Sequence, residues 1–252
     1  RVDVASSLAG LEIRAPQPFA KAPEDARPTR VRIEVPSTGV NDLGVESGTA
    51  RARLRFTEGR DGKWVLERGL ARFDGQAAAL PSRPGLLVAG DWPQFDLGEW
   101  LALGTGSEGG PSLSAWLGPV DVHLDRALVA GFEFRDVQAN LRYGDGHWKI
   151  GLRGPMATGE VTVPEDLRGG RPIDLRMQKL VLQSPPAAPG TDAGEPLDPR
   201  TLPALAVQAE DFTWQGRRFG SVQAVVAKVP QGLRFDTLAS KAPSFTVTAQ
   251  GS

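Results

Sequence analysis

Hydrophobic and polar residues alternate along most of this chain, with the period of two that is typical of half-buried β-strands. Val31, Ile33 and Val35, for example, alternate with Arg32 and Glu34. Comparable alternation recurs in segments 50–56, 120–124, 137–143, 173–177, 222–226, 233–235 and 245–247. Glycine-containing turn signals separate these segments. The pattern therefore predicts an all-β fold, with one short helix over residues 97–103.

The sequence also repeats itself at an offset of 85 residues. The residues Val122, Gly131, Phe134, Val137, Gln138 and Ala139 recur as Val207, Gly216, Phe219, Val222, Gln223 and Ala224. A partial third copy lies upstream, in residues 52–64. A unit of strand, turn and strand cannot bury its apolar face alone, so we expect the copies to add edge to edge into one extended, mostly antiparallel sheet.

Alternation gives each strand one apolar and one polar side, and two architectures fit this pattern. In a closed sandwich the apolar face is core, whereas in an open, curved sheet it lines a groove. The phase of the alternation slips at Arg135-Asp136, because Phe134 lies in the even register and Val137 in the odd. We therefore predict a β-bulge there, which would increase the local twist.

Segment 184–200 is rich in Pro, Gly and Ala and predicts a loop or linker. It divides the chain into a repeat β-sheet segment over 1–183 and a continuing β repeat over 201–252. The chain begins and ends within strand patterns, so we expect it to be a piece of a longer protein. It contains neither a signal peptide pattern nor an apolar run near the ~18 residues of a membrane span.

Charge and cysteine content narrow the function classes further. The formal net charge is −1, and a nucleic-acid-binding protein needs a basic face for phosphate contacts. Because the charge is close to neutral, we expect no nucleic-acid partner. Cysteine is absent, which removes disulfides and thiolate metal sites.

Residues that could carry catalysis are few. The two histidines, His123 and His147, show no metal-ligand spacing and no local nucleophile, so we expect no metal. Residues 104–109 spell G-x-G-x-x-G but follow a helix instead of a strand, which indicates a loop and not a dinucleotide site. The carboxylate pairs at 96/99 and 165/166 are better explained by a helix start and a turn than by glycoside hydrolysis. The sequence predicts no enzyme and no cofactor.

Six tryptophans keep a carbohydrate-binding β-sandwich as one alternative, because exposed indole rings can stack on sugars. Trp64 and Trp148, however, occupy equivalent positions, each just past an Asp-Gly turn. Recurrence at the same place in two repeats favours an architectural role for these two side chains.

Several segments together resemble the large AsmA-like proteins of the YhdP type. The matching stretches, in chain order, are residues 7–13 (SLAGLEI), 15–21 (APQPFAK), 90–100 (GDWPQFDLGEW), 198–203 (DPRTLP), 212–217 (FTWQGR) and 232–236 (GLRFD). The ordered set covers nearly the whole chain and is more specific than any one stretch. It corresponds to an internal or C-terminal-half part of a protein several times this length.

The resemblance implies a fold and a function. Such proteins are anchored in the bacterial inner membrane by an N-terminal helix, which would lie outside this chain, and extend through the periplasm. Their strands form an elongated, curved, taco-like sheet with an apolar groove, and they are thought to conduct phospholipid between the inner and outer membranes. The implied partners are phospholipid and the membrane, with no catalysis.

If the groove exists, the apolar phase of the strands predicts its lining. The residues are Leu54, Phe56, Val122, Leu124, Val137, Ala139, Leu141, Ile150, Leu175, Met177, Val222, Ala224, Leu233 and Phe235. The alternative for the same residues is core packing under a helix or loop, in a structural envelope scaffold that transports nothing.

Overall fold

A computed structural model of the chain describes residues 1–104, 112–167, 170–183, 203–229, 232–242 and 245–251. These residues form a β-sheet of 16 strands with two short helices, which confirms the predicted all-β class. The strands are β1 Val2–Ser6, β2 Thr29–Ser37, β3 Val40–Ser47, β4 Ala50–Glu58, β5 Trp64–Arg72, β6 Gly85–Trp92, β7 Phe95–Asp96, β8 Leu117–Val129, β9 Phe132–Gly144, β10 His147–Arg153, β11 Ala157–Pro164, β12 Ile173–Leu182, β13 Leu205–Trp214, β14 Arg217–Val229, β15 Gly232–Ala242 and β16 Phe245–Gly251. The helices are α1 Leu97–Gly104, close to the predicted one, and α2 Leu113–Trp116.

The chain folds into two compact units, Arg1–Asp125 (unit 1) and Arg126–Ser252 (unit 2). The boundary falls within β8. The predicted loop at 184–200 lies outside the described residues, so that division of the chain stays a prediction.

Most neighbouring strands pair antiparallel, as expected. In unit 1 the order is β1-β2-β3-β4-β5-β6-β8, with β7 paired to β8; β5–β6 and β6–β8 are parallel. In unit 2 the strands β9 to β16 follow one another in chain order, and β12–β13 is parallel. Parallel strands need a longer crossover connection than a hairpin provides. The Pro-rich segment belongs to the connection between β12 and β13.

The backbone reproduces the 85-residue repeat. Strands β9 and β14 begin and end 85 residues apart. The turns that precede them also match, since φ is 50° and 79° at Ala130-Gly131 and 48° and 76° at Gln215-Gly216. Two successive positive φ values are the mark of a type I′ hairpin turn, which fits the right-handed twist of the strands it joins.

The core of unit 2 consists of Ala157, Met177, Leu180 and Ala209. It lies where the short hairpin β10–β11 ends and the longer strands on either side of it meet. There the amide of Glu133, in β9, donates to the carbonyl of Gln183, just after β12, at 3.0 Å. Strands that are three positions apart in the sheet order are thus brought into contact.

Candidate functional site

A row of aliphatic side chains crosses seven strands of unit 2. Residues that pair directly across neighbouring strands point to the same side of the sheet. Successive pairings join Leu141, Ile150, Val161, Leu175, Val207, Ala224 and Leu238, from β9 to β15. Two residues away along each strand, a second row joins Ala139, Leu152, Gly159, Met177, Ala209, Val222 and Ser240. We call this side the apolar face of unit 2.

The opposite side of unit 2 is polar. The row adjacent to Leu141 begins with Arg142, Lys149, Thr162 and Asp174, which are paired in that order. One-residue alternation therefore separates an aliphatic side from a charged side across at least four strands. This separation is the pattern that the sequence predicted.

Unit 1 has an apolar face of the same kind. One row joins Val2, Ile33, Leu43 and Leu54, and a second joins Val4, Val31, Val45, Ala52 and Ala71. The other side carries arginines, among them Arg55, whose Nε and Nη2 donate to the two carboxylate oxygens of Asp42 at 2.6 and 2.7 Å. This hydrogen bond, with the nearby positive charge, lowers the pKa of Asp42 below its usual value.

Twelve of the predicted lining residues have described side chains, and these twelve lie on the two faces. Five of them are buried, namely Val122, Leu124, Val137, Met177 and Ala224. Seven are half-buried, namely Leu54, Phe56, Ala139, Leu141, Ile150, Leu175 and Val222. The side chains of Leu233 and Phe235 lie outside the described part of the chain, although their strand β15 is described.

The apolar faces are only partly covered. Among the described residues, no large side chain falls below 2 % exposure. Several aliphatic residues of unit 1 are openly accessible, including Val2 at 56 %, Val4 at 55 % and Ile33 at 39 %. A sheet that is sealed by a second layer buries its inner face far more completely. These faces therefore retain apolar surface that could contact another molecule.

The apolar face of unit 2 is bent by β-bulges that lie side by side. Apolar pairs spaced i, i+3 around two polar or small residues recur in its strands, among them Phe134/Val137, Met177/Leu180, Ala209/Phe212 and Phe219/Val222. The strand register shifts next to two of these pairs, at Met177 between β11 and β12 and at Ala209 between β13 and β14. An extra residue in a strand lets both members of such a pair face the same side.

The bulge in β9 was predicted, and the others were missed although the same spacing marks them. Asp136 has φ of 55°, in the left-handed region, at the predicted position. In the second repeat copy, Gly220 has φ of 72° close to the equivalent place. Searching for apolar i, i+3 pairs within alternating segments would have located all four.

Unit 1 instead gathers five aromatic rings at one end of its apolar face. This aromatic cluster consists of Phe19, Phe73, Trp92, Phe95 and Trp100. Phe73 meets Phe19 and Trp92 edge-on, at centroid distances of 5.5 and 5.6 Å, and Trp92 stacks on Trp100 at 5.7 Å and 11°. Sequence reasoning missed this cluster, because its members come from loop 7–28, the bend after β5, the end of β6, β7 and α1.

Loop residues 7–28 hold Phe19 in the cluster through two cations. Lys21 is only 4 % exposed, and its Nζ donates to the carbonyls of Leu11 and Ala22, both at 2.8 Å. Arg27 donates to the carbonyls of Phe19 and Ala20 at 3.3 and 2.5 Å. The two positive side chains thus donate hydrogen bonds to loop carbonyls that are not paired within the sheet. The loop is built as a defined cover over one end of the apolar face.

The buried carboxylate of Glu133 pairs with two exposed arginines at the place in unit 2 where β9 approaches β12. The Glu133 carboxylate accepts from Arg135 Nε at 2.6 Å and from Arg126 Nη2 and Nε at 2.8 and 3.0 Å. Hydrogen bonds from Arg135 and then Arg126 lower the pKa of Glu133 below its usual value. The carboxylate is therefore ionised at neutral pH.

The residues considered for catalysis have structural contacts. Asp96 Oδ1 accepts from the amides of Gly98 and Glu99, at 2.8 and 3.3 Å, and so caps α1. The Tyr143 hydroxyl donates to Glu165. His147 Nδ1 lies 2.7 Å from the carbonyl of Asp145. Within the described ranges, no group of three or more His, Cys, Asp or Glu side chains is placed to hold a metal ion.

Comparison with known proteins identifies one family. The family model described as YhdP protein matches residues 1–252 of the chain. No curated protein and no solved structure shows a significant match. The part of the chain that the structure describes includes no helix with the length and hydrophobicity of a membrane span.

Proposed function

Because the chain belongs to the YhdP family, a family of bacterial envelope proteins, we propose that it is a segment of a lipid transfer protein whose apolar faces guide phospholipid acyl chains. The observation that carries this proposal is the aliphatic row from Leu141 to Leu238. Seven consecutive strands each contribute one apolar residue to it.

The energetics of such a surface suit acyl chains. Each CH₂ group that leaves water gains about 0.8 kcal/mol, so a row of aliphatic side chains offers a lipid tail a path that water does not. A head group needs no burial beside an open face. Transfer also requires neighbouring positions of similar affinity, because one deep pocket would trap the lipid. Rows of Val, Leu, Ile and Ala side chains meet this requirement.

The proposal extends to the setting in which the protein works. We place this segment in the periplasm, between an inner-membrane anchor outside this chain and the outer membrane. Phospholipid is its partner, it binds no nucleic acid, and it performs no catalysis. The alternative is a scaffold whose apolar faces are covered by other protein and transport nothing.

Photo-crosslinking in living bacteria tests the proposal. A photoreactive amino acid would replace Leu141, which lies on the apolar face, or its neighbour Arg142, which lies on the polar face. The two positions are adjacent in sequence and differ in the side of the sheet, so each controls for the other. We expect phospholipid to be captured at Leu141 and not at Arg142.

The other outcomes decide against the proposal. Capture of protein alone at Leu141 would show that the face is sealed and would favour the scaffold. Equal lipid capture at both positions would mean that the two faces do not differ toward lipid. Quenching of tryptophan fluorescence by oligosaccharides, with no lipid captured, would favour the carbohydrate-binding alternative.

A further inference from the structure

Two indole N–H groups in the aromatic cluster have no hydrogen-bond acceptor among the described residues. They belong to Trp92 and Trp100, whose rings are stacked. Three buried side-chain nitrogen or oxygen atoms in the described chain lack a partner, and these are two of them; the third is Nε of Arg68. The unpaired donors are therefore concentrated in one place.

An unpaired buried donor of this kind calls for an explanation. Trp92 is only 8 % exposed, and a buried N–H without an acceptor is destabilising because its lost hydrogen bond to water is not replaced. Tryptophan usually finds an acceptor for its N–H when its ring is buried. The Oδ1 atom of Asp96, next in sequence to Phe95 of the cluster, already accepts from the two amides at the start of α1.

The cluster adjoins the apolar face of unit 1. Trp92 pairs with Leu124, and Gly90, two residues earlier, pairs with Val122. The next pair in the same direction is Val88 with Val120. An aliphatic chain lying along these strands would therefore end at the two indole rings, where apolar surface meets polar N–H groups.

We propose that the aromatic cluster is a subsite for an oxygen acceptor of a glycerolipid, with the N–H groups of Trp92 and Trp100 as donors. The acceptor is an ester carbonyl or a phosphate oxygen next to acyl chains held on the apolar face. This inference rests on the proposed function and adds to it a defined stopping point for the polar part of the lipid.

Two rings of the cluster are attached outside the sheet. Phe19 is 42 % exposed and comes from loop 7–28, and Trp100 comes from α1, so neither ring belongs to the sheet. Phe73 and Trp92 stand at the ends of β5 and β6 and are buried. Entry of a lipid displaces Phe19 from Phe73 and Trp100, while the rings of Phe73 and Trp92 stay in place.

Lipid affinities test the subsite in the complete chain. Three soluble short-chain lipids would be compared. They are phosphatidylcholine with ester-linked chains, its analogue with ether-linked chains, and the diacylglycerol with the same ester-linked chains, which lacks phosphate. The variants are Trp92→Phe and Trp100→Phe, which keep an aromatic ring and remove the N–H. Trp116→Phe is the matched control, because this tryptophan belongs to α2 and not to the aromatic cluster or to a strand of either apolar face.

Two results support the proposal and identify the acceptor. If the ester carbonyl accepts, the two variants lose roughly five- to tenfold in affinity for both ester lipids and nothing for the ether lipid. If phosphate accepts, both phosphatidylcholines lose affinity and diacylglycerol does not. The control variant retains wild-type affinity in either case.

Other results overturn it. Equal loss for all three lipids would reflect lost packing, and no loss would show that the N–H groups do not bind lipid; the proposed function survives both. If the wild-type chain binds none of the lipids, the proposed function fails as well. Indole N–H resonances of the wild-type chain give a readout without mutation: Trp92 and Trp100 should shift on lipid addition, and unchanged resonances would contradict the subsite.

Discussion

The two units cover their apolar faces by different means. In unit 1 the cover is aromatic and comes from outside the sheet, since loop 7–28 supplies Phe19 and α1 supplies Trp100. In unit 2 the buried residues Ala157, Met177, Leu180 and Ala209 all belong to strands, and bulges bring them together. A sheet can thus cover part of its apolar face by bending, or side chains from loops and helices can cover that face.

The difference bears on how each unit could open. A bend maintained by bulges is part of the hydrogen-bonded ladder, so changing it requires several strand pairings to change together. A loop and a short helix are attached at their ends and can move while the strands stay paired. We therefore expect lipid-dependent movement in unit 1 at loop 7–28 and α1, and little movement in unit 2.

The largest effect should follow from adding a methyl group at Gly159 in unit 2. A Cβ at this position would lie 2.3 Å from the carbonyl oxygen of Arg176 and 2.7 Å from Cα of Met177, at φ of 150°. Gly159→Ala should therefore destabilise unit 2 by at least about 4 kcal/mol, measured by amide hydrogen exchange. Gly144→Ala, with no atom within 4 Å, is the control. Equal, small effects at both sites would mean that the strands separate easily at this bulge.

Truncating one buried side chain in each unit compares the two covers directly. Phe73→Ala should cost unit 1 about 3 kcal/mol and release Phe19, while Met177→Ala should cost unit 2 about 2 kcal/mol, because a smaller side chain is lost. The two clusters share no residue, so the effects should add in the double variant. Segment-resolved hydrogen exchange measures both. Faster exchange in unit 2 after Phe73→Ala would contradict their independence.

A smaller, local effect is expected at Lys21. Lys21→Met keeps the apolar stem but leaves the carbonyls of Leu11 and Ala22 without their donor. The cost should be about 1 to 2 kcal/mol, confined to loop 7–28, with β2 to β5 exchanging as before. Lys63→Met, at a side chain 81 % exposed, is the control. A loss of stability throughout unit 1 would show that the loop supports the sheet and not only its cover.

The smallest effect concerns the pH dependence of unit 2. Since the pKa of Glu133 is lowered on folding, its ionised form stabilises the fold above the unfolded pKa of about 4.3, and this contribution is lost as the pH falls through the folded pKa. Glu133→Gln should make the stability of unit 2 less dependent on pH below about 5, as measured by urea denaturation. An unchanged acid limb would assign the pH dependence of unit 2 to its other carboxylates.

The sequence was sufficient for the all-β class, for strands with clear alternation such as β4 and β9, and for the two faces of those strands. Alternation along each strand is local, so it assigned Leu141 to one side and Arg142 to the other without knowledge of the partner strands. Turn chemistry is equally local, and the repeated glycines at 131 and 216 marked hairpins whose φ values proved nearly identical. Family membership likewise followed from ordered short stretches of sequence.

Tertiary structure alone decided which elements meet. The aromatic cluster joins residues from 19 to 100, and no periodicity relates a loop phenylalanine to a tryptophan in α1. The parallel pairings of β5–β6 and β12–β13, and the contact of β9 with β12, likewise depend on which strands lie side by side. Burial followed the same rule: Met177 is buried within the core of unit 2, whereas Leu175, in the same strand and phase, packs against that core and is half-buried.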